Sequence, residues 1–470
     1  MIRKTKIIAT IGPATSSKEM IKALIQKGVN VCRLNFSHLS HDVAKEIISN
    51  VKQVNQDLSV HTAILADLQG PKIRLGDFEK PIKLKKGEEV VFSTKKKKNT
   101  IYINYKDFAK DVKLKDRVLL DDGKLGLEVI STNNKDTVDL KVIFGGPLQS
   151  RKGVNLPKTT TSLPCLTKKD IKDLEFILSQ KIEWIGLSFV RKSKDVKELK
   201  KIIKARGAPH KVIAKIEKPQ AIKNIDAIIN SSDAIMVARG DLGVEVPPQK
   251  LPVYQKMIVN KCMMSAKPVI IATQMLESMT DNPVATRAEV NDVANSVIDG
   301  ADALMLSGET SVGKHPLKAV DSMRKTIRDI ESSDHSISKN TENRVLQKNE
   351  RFLTKAICLN ATNIAKQTNA KAIITITYSG FNTMQISSFR PQAFVYAFTN
   401  NHSILNTLSL VWGVQGFYYE GGSTTSQTIK ETKEILKKQK HLKKGDIAVN
   451  IASMPAREKG RTNMMKVSKI

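Results

Sequence analysis

The chain has few cysteines and lacks both long apolar runs and a signal-peptide pattern. Its four cysteines, Cys32, Cys165, Cys262 and Cys358, are widely separated and form no Cys-x-x-Cys pair. This spacing argues against a disulfide scaffold and favours reduced thiols in the cytoplasm. The longest apolar runs have strand length, well short of the roughly eighteen residues that a membrane span needs. We therefore expect a cytoplasmic protein without a membrane partner.

Acidic residues are also scarce relative to basic ones. Lysine and arginine total 77 against 46 acidic residues, which gives a net charge of +31 over 470 residues. A charge of this size suggests nucleic-acid binding as one hypothesis. Against it, the lysines are spread over nearly every predicted helix, and aromatic residues make up only 5% of the chain. We therefore predict solvated lysine faces that attract anionic substrates, and no nucleic-acid partner.

Short apolar runs alternate with amphipathic helical patterns through much of the chain. Most of the runs are followed by a turn and then a helix such as 17–27, 41–56, 194–205 or 287–298. Eight such strands predict an α/β protein with a (β/α)₈ TIM barrel. The predicted strands are 7–11, 29–35, 62–67, 184–189, 212–216, 234–237, 269–273 and 303–306.

Two regions depart from this alternation and predict further domains. Between the third and fourth strands, short alternating segments separated by Gly, Asn and Asp predict an inserted small β-barrel lid domain, residues 71–167. Its predicted strands are 82–84, 89–92, 118–120, 126–130 and 138–144. The barrel then comprises residues 1–70 and 168–335. After a polar linker at 331–349, a helix at 353–367 and four strands predict a C-terminal open α/β domain, residues 350–470. Those strands are 372–377, 394–398, 416–419 and 447–451.

Two carboxylates and one ammonium group follow neighbouring predicted strands. Lys215 and Glu217 are two residues apart at the end of one strand, so they point to the same face. Asp241 comes just after the next strand, where it can meet Glu217. Oxygen ligands of this kind favour Mg²⁺ or Mn²⁺ over zinc. A lysine beside the ion suits an anionic substrate.

Other polar residues follow the ends of the remaining strands. Arg33 and Arg74 can each hold phosphate oxygens in a bidentate fork. Gly240 allows close approach of the backbone to a ligand, and Thr273 offers a hydroxyl for proton relay. Because catalytic residues of such barrels lie at the carboxyl ends of the strands, this set predicts phosphoryl transfer. It also includes Asn35, Ser37 and Asp67.

Five runs of the sequence resemble the pyruvate kinase family. They are TKIIATIGP at 5–13, RLNFSH at 33–38, KGVNLP at 152–157, ARGDLG at 238–243 and ATQMLESM at 272–279. The resemblance extends over nearly the whole chain, in the order of the family and with its domain insertion. It implies transfer of the phosphoryl group of phosphoenolpyruvate to ADP, giving pyruvate and ATP, the last step of glycolysis. It also implies Mg²⁺ (or Mn²⁺) and a homotetramer.

The resemblance assigns expected roles to individual residues. Lys215, Thr273 and Arg33 are expected to be catalytic, with Glu217 and Asp241 as metal ligands. The expected contacts to phosphoenolpyruvate are Arg33, Lys215, Gly240, Asp241 and Thr273. The expected nucleotide side comprises Asn35, Ser37, His38, Arg74 and Lys152, with Lys152 supplied by a lid that closes over the site.

A monovalent cation is expected to be dispensable. Many relatives need K⁺ and carry Glu where this chain has Lys72, with Thr-Lys in place of Leu68-Gln69. The run DLQGPK at 67–72 resembles instead the potassium-independent branch. The region concerned contains Asn35, Ser37, Asp67 and Leu68, and the Lys72 ammonium can supply the charge of K⁺. The alternative is that Lys72 is an ordinary surface lysine.

An effector site in the C-terminal domain is left open. The family binds a sugar phosphate or a nucleotide such as AMP there, and the local match is Thr377-Tyr378-Ser379-Gly380, a turn whose amides can hold phosphate. Relatives usually continue with Arg and then Ser or Thr, whereas this chain has Phe381-Asn382. Both a working and an altered or absent site fit this sequence.

Two rival functions are also weighed. A metal-dependent aldolase or lyase acting on pyruvate-type enolates would use a similar barrel but would lack the insertion and Lys152. Formation of ATP from phosphoenolpyruvate and ADP would separate the two. A non-enzymatic nucleic-acid binder is suggested by the charge alone, and salt-sensitive binding to generic duplex DNA without turnover would favour it.

Overall fold

The computed structural model describes residues 3–78, 80–157, 159–333, 351–422, 424–454 and 462–470. They form a closed parallel barrel, an inserted set of β-strands and a C-terminal α/β sheet. The predicted fold class is confirmed. Most of the predicted linker at 331–349 lies outside the described residues, and the exact domain boundaries stay predictions. Among the described helices, none is both long enough and apolar enough to cross a membrane.

The barrel contains all eight predicted strands, arranged in sequence order around a closed ring. The third strand pairs directly with the fourth, Asp67 opposite Gly186, although the insert separates them along the chain. The strands are almost completely buried on both faces, as expected of a parallel sheet covered by helices. They span Lys6–Ile11, Val31–Asn35, Ala63–Asp67, Trp184–Leu187, Lys211–Ile216, Ala234–Ala238, Val269–Ala272 and Ala303–Leu306.

Amphipathic helices surround the ring and pack their apolar faces on it. Ser17, Ser40, Thr167 and Thr286 cap four of them by accepting a hydrogen bond from a first-turn amide. The helices of this part are Lys18–Gln26, His41–Leu58, Lys168–Ser179, Ser193–Ala205, Pro219–Lys223, Ile225–Ser231, Arg239–Glu245, Leu251–Met264, Arg287–Ile298, Gly308–Ser311 and Pro316–Ser332, with 3₁₀ turns at Pro248–Lys250 and Glu277–Thr280.

The insert is almost entirely β-structure, with its own buried core and one short helix, Phe108–Asp111. A two-stranded sheet pairs Ile82–Leu84 with Gly146–Leu148. The other strands form a six-stranded sheet. They are Glu89–Ser93, Ile101–Tyr102, Arg117–Leu120, Leu125–Thr132, Thr137–Phe144 and Val154–Asn155.

The C-terminal part is a five-stranded sheet flanked by helices. Its four predicted strands are present and parallel, and a fifth, Met464–Lys469, adds to the edge in the antiparallel direction. The parallel strands are Ala372–Ile376, Phe394–Thr399, Val414–Tyr418 and Ile447–Ala452. The helices are Phe352–Gln367, Phe381–Ser388, His402–Thr407 and Thr425–Lys438, with a 3₁₀ turn at Leu408–Leu410.

The C-terminal part packs against the amino end of the barrel through buried polar contacts. Arg390 pairs with Asp302 at 2.8 Å between Nη2 and Oδ2, with both side chains almost fully buried. Lys6 Nζ donates to the Val414 carbonyl oxygen at 2.7 Å, and burial lowers the pKa of Lys6 to about 7. Leu410 joins the apolar cluster inside the barrel. The opposite, carboxyl end of the ring is therefore the end left for a site.

Candidate active site

The polar residues predicted at the strand ends gather at the carboxyl end of the barrel. Asp67, at the end of the third strand, lies at their centre and is buried. Arg33 Nε donates to Asp67 Oδ2 at 2.8 Å, and Nη2 lies 2.7 Å from the same oxygen. From the fifth strand, Lys215 Nζ lies 3.2 Å from Asp67 Oδ1. One carboxylate therefore holds an arginine and a lysine from different strands.

Lys215 is surrounded by oxygen atoms. Besides Asp67, its Nζ lies 3.0 Å from Glu217 Oε1 and donates to Ser188 Oγ at 2.8 Å. Burial by itself would lower the pKa of Lys215, but the Asp67 and Glu217 carboxylates raise it above its usual value. The lysine is therefore held as a cation. In return, Lys215 and Arg33 lower the pKa of Asp67 against the effect of its burial.

Glu217 lies close enough to Asp241 for the Asp241 charge to affect the pKa of Glu217. Glu217 is buried, and its Oε2 accepts a hydrogen bond from the Phe189 amide at 2.7 Å. Burial raises the pKa of Glu217; the Lys215 ammonium opposes that rise, and the Asp241 charge adds to it. Asp241 lies in the first turn of Arg239–Glu245. The predicted convergence of Lys215, Glu217 and Asp241 is therefore present.

This pair of carboxylates fits a Mg²⁺ or Mn²⁺ ion whose remaining ligands come from a substrate and water. Among the described residues, no group of three or more His, Cys, Asp and Glu side chains is placed to hold a metal. Two carboxylates without a third protein ligand suit Mg²⁺, which usually takes one or two carboxylates and completes its shell with water and substrate oxygens. A cation beside Glu217 would also offset the effect of the Asp241 charge, which raises the pKa of Glu217.

Thr273 and Gly240 are joined by a short hydrogen bond. The Gly240 amide donates to Thr273 Oγ1 at 2.7 Å. The seventh strand ends at Ala272 rather than at 273, because Thr273 and Gln274 both have positive φ, 68° and 53°. This left-handed conformation is unusual for a β-branched residue and is often found at functional sites. A Cβ at position 240 would approach Thr273 Oγ1 to 3.3 Å.

His38, on the expected nucleotide side, lies among several cations. Burial lowers the pKa of His38, and the charges of Lys72, Arg74 and Arg33 lower it further. The second strand ends at Asn35, so Ser37 lies in the following turn, where its amide donates to Asn35 Oδ1 at 3.1 Å. Lys72 is exposed. Arg74 and His38 therefore lie near Arg33, and the nucleotide-binding role of this group stays a prediction.

Lys152 lies within the insert. Its Nζ lies 2.8 Å from Asp121 Oδ1, also in the insert. Arg74, on the segment that leads into the insert, donates to the Arg151 carbonyl oxygen at 3.1 Å. The insert contacts the barrel where Glu245 Oε1 accepts a hydrogen bond from Asn155 Nδ2 at 2.9 Å. The same Glu245 oxygen pairs with Lys218, a second barrel residue, at 2.5 Å.

Sequence reasoning missed several residues that shape this site. Ser188 and the Phe189 amide, just past the fourth strand, contact Lys215 and Glu217. Phe189 has a φ of 54°, which nothing in its sequence indicated. Arg239 and Glu245 were missed although both lie on the helix that carries Asp241. For Arg239 a signal existed in the sequence, because it directly precedes Gly240; its burial despite its charge is seen only in the structure.

Comparison with known proteins is consistent with this geometry. Residues 2–320 match the family model described as pyruvate kinase, barrel domain, and residues 355–468 match pyruvate kinase, alpha/beta domain. The pyruvate kinases of Staphylococcus aureus strains MRSA252 and USA300 are each 40% identical over 472 residues, covering 99% of this chain and 80% of theirs. A crystal structure of a pyruvate kinase from Cryptosporidium parvum has a TM-score of 0.92 at 35% identity, covering 99% of this chain and 96% of that one.

The Asp67→Asn variant should lose stability in a pH-dependent way. At neutral pH it leaves Arg33 and Lys215 buried without their shared anion, and breaking a buried ion pair costs about 3–5 kcal/mol. Because the folded-state pKa of Asp67 is lowered, its contribution is present above the unfolded value of about 3.9 and is lost as the pH falls through the folded value.

Denaturant unfolding of both proteins between neutral pH and about pH 3 checks this. The difference in free energy of unfolding should shrink steadily below about pH 4. A difference that stays constant over that range would show that the Asp67 charge does not hold the two cations.

Proposed function

The chain belongs to the pyruvate kinase family, and from that premise we propose a role for each group at the mouth of its barrel. As a pyruvate kinase it transfers the phosphoryl group of phosphoenolpyruvate to ADP, giving pyruvate and ATP. The observation that carries the proposed roles is the convergence of Lys215 with the Glu217–Asp241 pair in a buried, oxygen-rich setting. In phosphoryl transfer most of the catalysis is positioning and charge neutralisation.

Glu217 and Asp241 would hold the divalent ion, Mg²⁺ or Mn²⁺, with oxygens of phosphoenolpyruvate completing its shell. When bound, the ion supplies positive charge that neutralises substrate oxygens. The two carboxylates, which follow the fifth and sixth strands, would hold the ion at that end of the barrel. The Phe189 amide orients Glu217 by donating to one of its oxygens, which leaves the other to Lys215.

Lys215 and Arg33 would neutralise charge on the transferring phosphoryl group and on the enolate oxygen. Both are oriented by the same carboxylate, Asp67, and Lys215 is further fixed by Ser188. Because the raised pKa keeps Lys215 protonated, its charge is in place before the substrate arrives. Preorganised charge of this kind costs no reorganisation during the reaction.

Thr273 would deliver the proton that converts the enolate to pyruvate. The Gly240 amide fixes its hydroxyl through the 2.7 Å hydrogen bond. The absence of a side chain at Gly240 leaves room for substrate beside that hydroxyl. The ADP would lie over Asn35, Ser37, His38 and Arg74, where the surrounding cations attract its phosphates. Lys152 would reach the nucleotide from the insert, which we propose acts as a lid, by exchanging its Asp121 partner for phosphate.

The Lys215→Met variant should have kcat lowered by at least about 10²–10³-fold, because a preorganised charge is lost at the reacting phosphoryl group. Coupled assay of ATP and pyruvate formation from phosphoenolpyruvate and ADP measures it. Lys211→Met is a matched control, since Lys211 begins the same strand at the opposite end of the barrel. Near-normal turnover in the Lys215 variant would contradict the proposed role.

We also propose that the enzyme does not require K⁺. The Lys72 side chain is exposed, and its ammonium is close enough to lower the pKa of His38, which follows Asn35 and Ser37 of the expected monovalent-cation region. In that region the Asp67 carboxylate pairs with Arg33 and Lys215, and the Leu68 carbonyl oxygen accepts from Ser188 Oγ at 2.7 Å. A tethered cation next to these groups would take the place of a bound monovalent ion.

The Lys72→Glu variant should therefore depend on K⁺, while the wild-type enzyme should not. Turnover is measured in K⁺ and in a bulky ammonium salt of equal ionic strength, which separates specific binding from screening. Lys83→Glu, an exposed charge reversal in the insert, should respond to neither salt. An unchanged cation response in the Lys72 variant would contradict the proposal.

The effector site of the C-terminal domain is proposed to be altered. Gly380, with a φ of 79°, donates its amide to Thr377 Oγ1 at 2.9 Å. Asn382 turns inward, where its Nδ2 donates to the Ile376 carbonyl oxygen at 3.0 Å. The Phe381 ring lies under the Arg351 guanidinium at 4.2 Å. The turn thus offers phosphate an aromatic ring at the position where relatives carry an arginine.

A sugar bisphosphate or AMP should then change the KM for phosphoenolpyruvate by less than about twofold, below the range typical of allosteric coupling. Steady-state kinetics with and without each compound test this. A several-fold decrease in KM would show that the turn still binds an effector.

The homotetramer stays a prediction, which sedimentation of the full chain would decide. The cytoplasmic location and the lack of a nucleic-acid partner also stay predictions.

A further inference from the structure

The turn that carries Thr273 is held from both sides by buried charged residues that the proposed roles do not use. The turn follows the seventh barrel strand, and its first two residues, Thr273 and Gln274, are both in the left-handed region. The left-handed conformation costs free energy for both residue types, so contacts with the surrounding residues must offset that cost. The groups that hold the turn come from the ends of the sixth and eighth strands.

On one side, Arg239 makes five contacts with its two terminal nitrogens. Nη1 and Nη2 donate to Asp292 Oδ1 and Oδ2, each at 2.7 Å. Nη2 also donates to the carbonyl oxygens of Thr273 at 2.9 Å and Gln274 at 3.1 Å, and it lies 2.9 Å from Met275 Sδ. A planar guanidinium anchored to a carboxylate can bind two successive carbonyls in this way, whereas an ammonium group cannot reproduce the fork.

On the other side, Glu309 holds the end of the same turn. Its Oε1 accepts from the Leu276 amide at 3.1 Å, and its Oε2 accepts from the Ser307 amide at 2.7 Å. A cation therefore binds the carbonyls at the start of the turn, and a buried carboxyl group binds an amide at its end. The turn has little freedom to relax toward an ordinary conformation.

The held turn determines where the Thr273 hydroxyl lies. Thr273 Oγ1 accepts from the Gly240 amide and donates to the Ala272 carbonyl oxygen at 2.6 Å. Arg239 and Gly240 are adjacent, so the residue that fixes the Thr273 backbone is covalently joined to the amide that fixes its side chain. The backbone and the side chain of Thr273 are thus both hydrogen-bonded to residues at the start of one short helix, Arg239–Glu245.

We propose that Arg239 is a positioning residue that, with Asp292, sets Thr273 for proton delivery to the enolate carbon. This inference rests on the proposed role of Thr273. Arg239 acts only through the turn and touches no reacting atom. Its loss should affect the proton step more than phosphoryl transfer, because Lys215, Glu217 and Asp67 are held by other contacts.

Exchange of the pyruvate methyl protons in D₂O isolates the proton step. In that reaction one methyl C–H bond breaks, its electron pair forms the C=C bond of the enolate as the carbonyl π pair moves to oxygen, and the proton leaves to solvent. Return of a deuteron to carbon restores pyruvate. Proton NMR of pyruvate with the enzyme, Mg²⁺ and ATP measures this rate. A separate assay of ATP formation from phosphoenolpyruvate and ADP, with the same enzyme preparation, measures phosphoryl transfer.

For Arg239→Lys we expect the exchange rate to fall about 10²-fold, the scale associated with a misplaced catalytic group. The ratio of exchange to ATP formation should fall with it, while the KM for phosphoenolpyruvate changes little. Asp292→Asn, which keeps Arg239 and its carbonyl contacts, should lower the same ratio by a smaller factor. The Asp292→Asn variant serves as the test if the Arg239→Lys variant does not fold.

The matched control is Arg390→Lys, which weakens another buried Arg–Asp pair at the far end of the barrel. It should reduce thermal stability without changing the ratio. An unchanged ratio in both the Arg239 and Asp292 variants, or an equal fall in the Arg390 variant, would overturn the inference while leaving Thr273 its role. If Thr273→Ala also exchanges at the wild-type rate, the proposed role of Thr273 and this inference both fail.

Discussion

The shared ion pair of Asp67 with Arg33 and Lys215 is the contact on which the arrangement at the barrel mouth depends. Two cations would not stay close in a buried setting without an anion between them, because like charges repel and the Arg33 charge by itself lowers the pKa of Lys215. Asp67 is itself placed by the register of three strands, opposite Asn35 on one side and Gly186 on the other. The closed barrel thus converts strand register into a fixed pattern of charge.

The fold was largely readable from the sequence because parallel strands buried on both faces leave continuous apolar runs. All eight barrel strands were predicted within about two residues of their observed ends, as is usual for boundaries set by hydrogen bonding. The predicted insert followed from its different periodicity. What was missed is short or lies at an edge. The helix Arg239–Glu245 is brief and follows a strand without a break, and Met464–Lys469 is an antiparallel edge strand whose residues are mostly exposed or half-buried.

The site was predictable to the extent that it depends on alternation along a strand. Lys215 and Glu217 share a face because they are two residues apart, and Asp241 is near them because neighbouring strands end together. The conformation of Thr273 was not predictable in this way. A β-branched residue does not favour positive φ, so tertiary contacts from Arg239 and Glu309 override local preference. The pairing of Lys152 with Asp121 within the insert was equally beyond the reach of sequence spacing.

Leu410 lies in the same apolar cluster as Ile8, Trp184 and Met236 inside the barrel. It comes from the C-terminal part of the chain and closes the floor of the ring, contributing about 1.5–3 kcal/mol as a fully buried leucine. The barrel is therefore not structurally independent of the C-terminal part, because a leucine from that part completes the packing of its interior. A chain without its C-terminal part would leave an unfilled apolar space at the amino end of the barrel, and another apolar side chain would have to fill it.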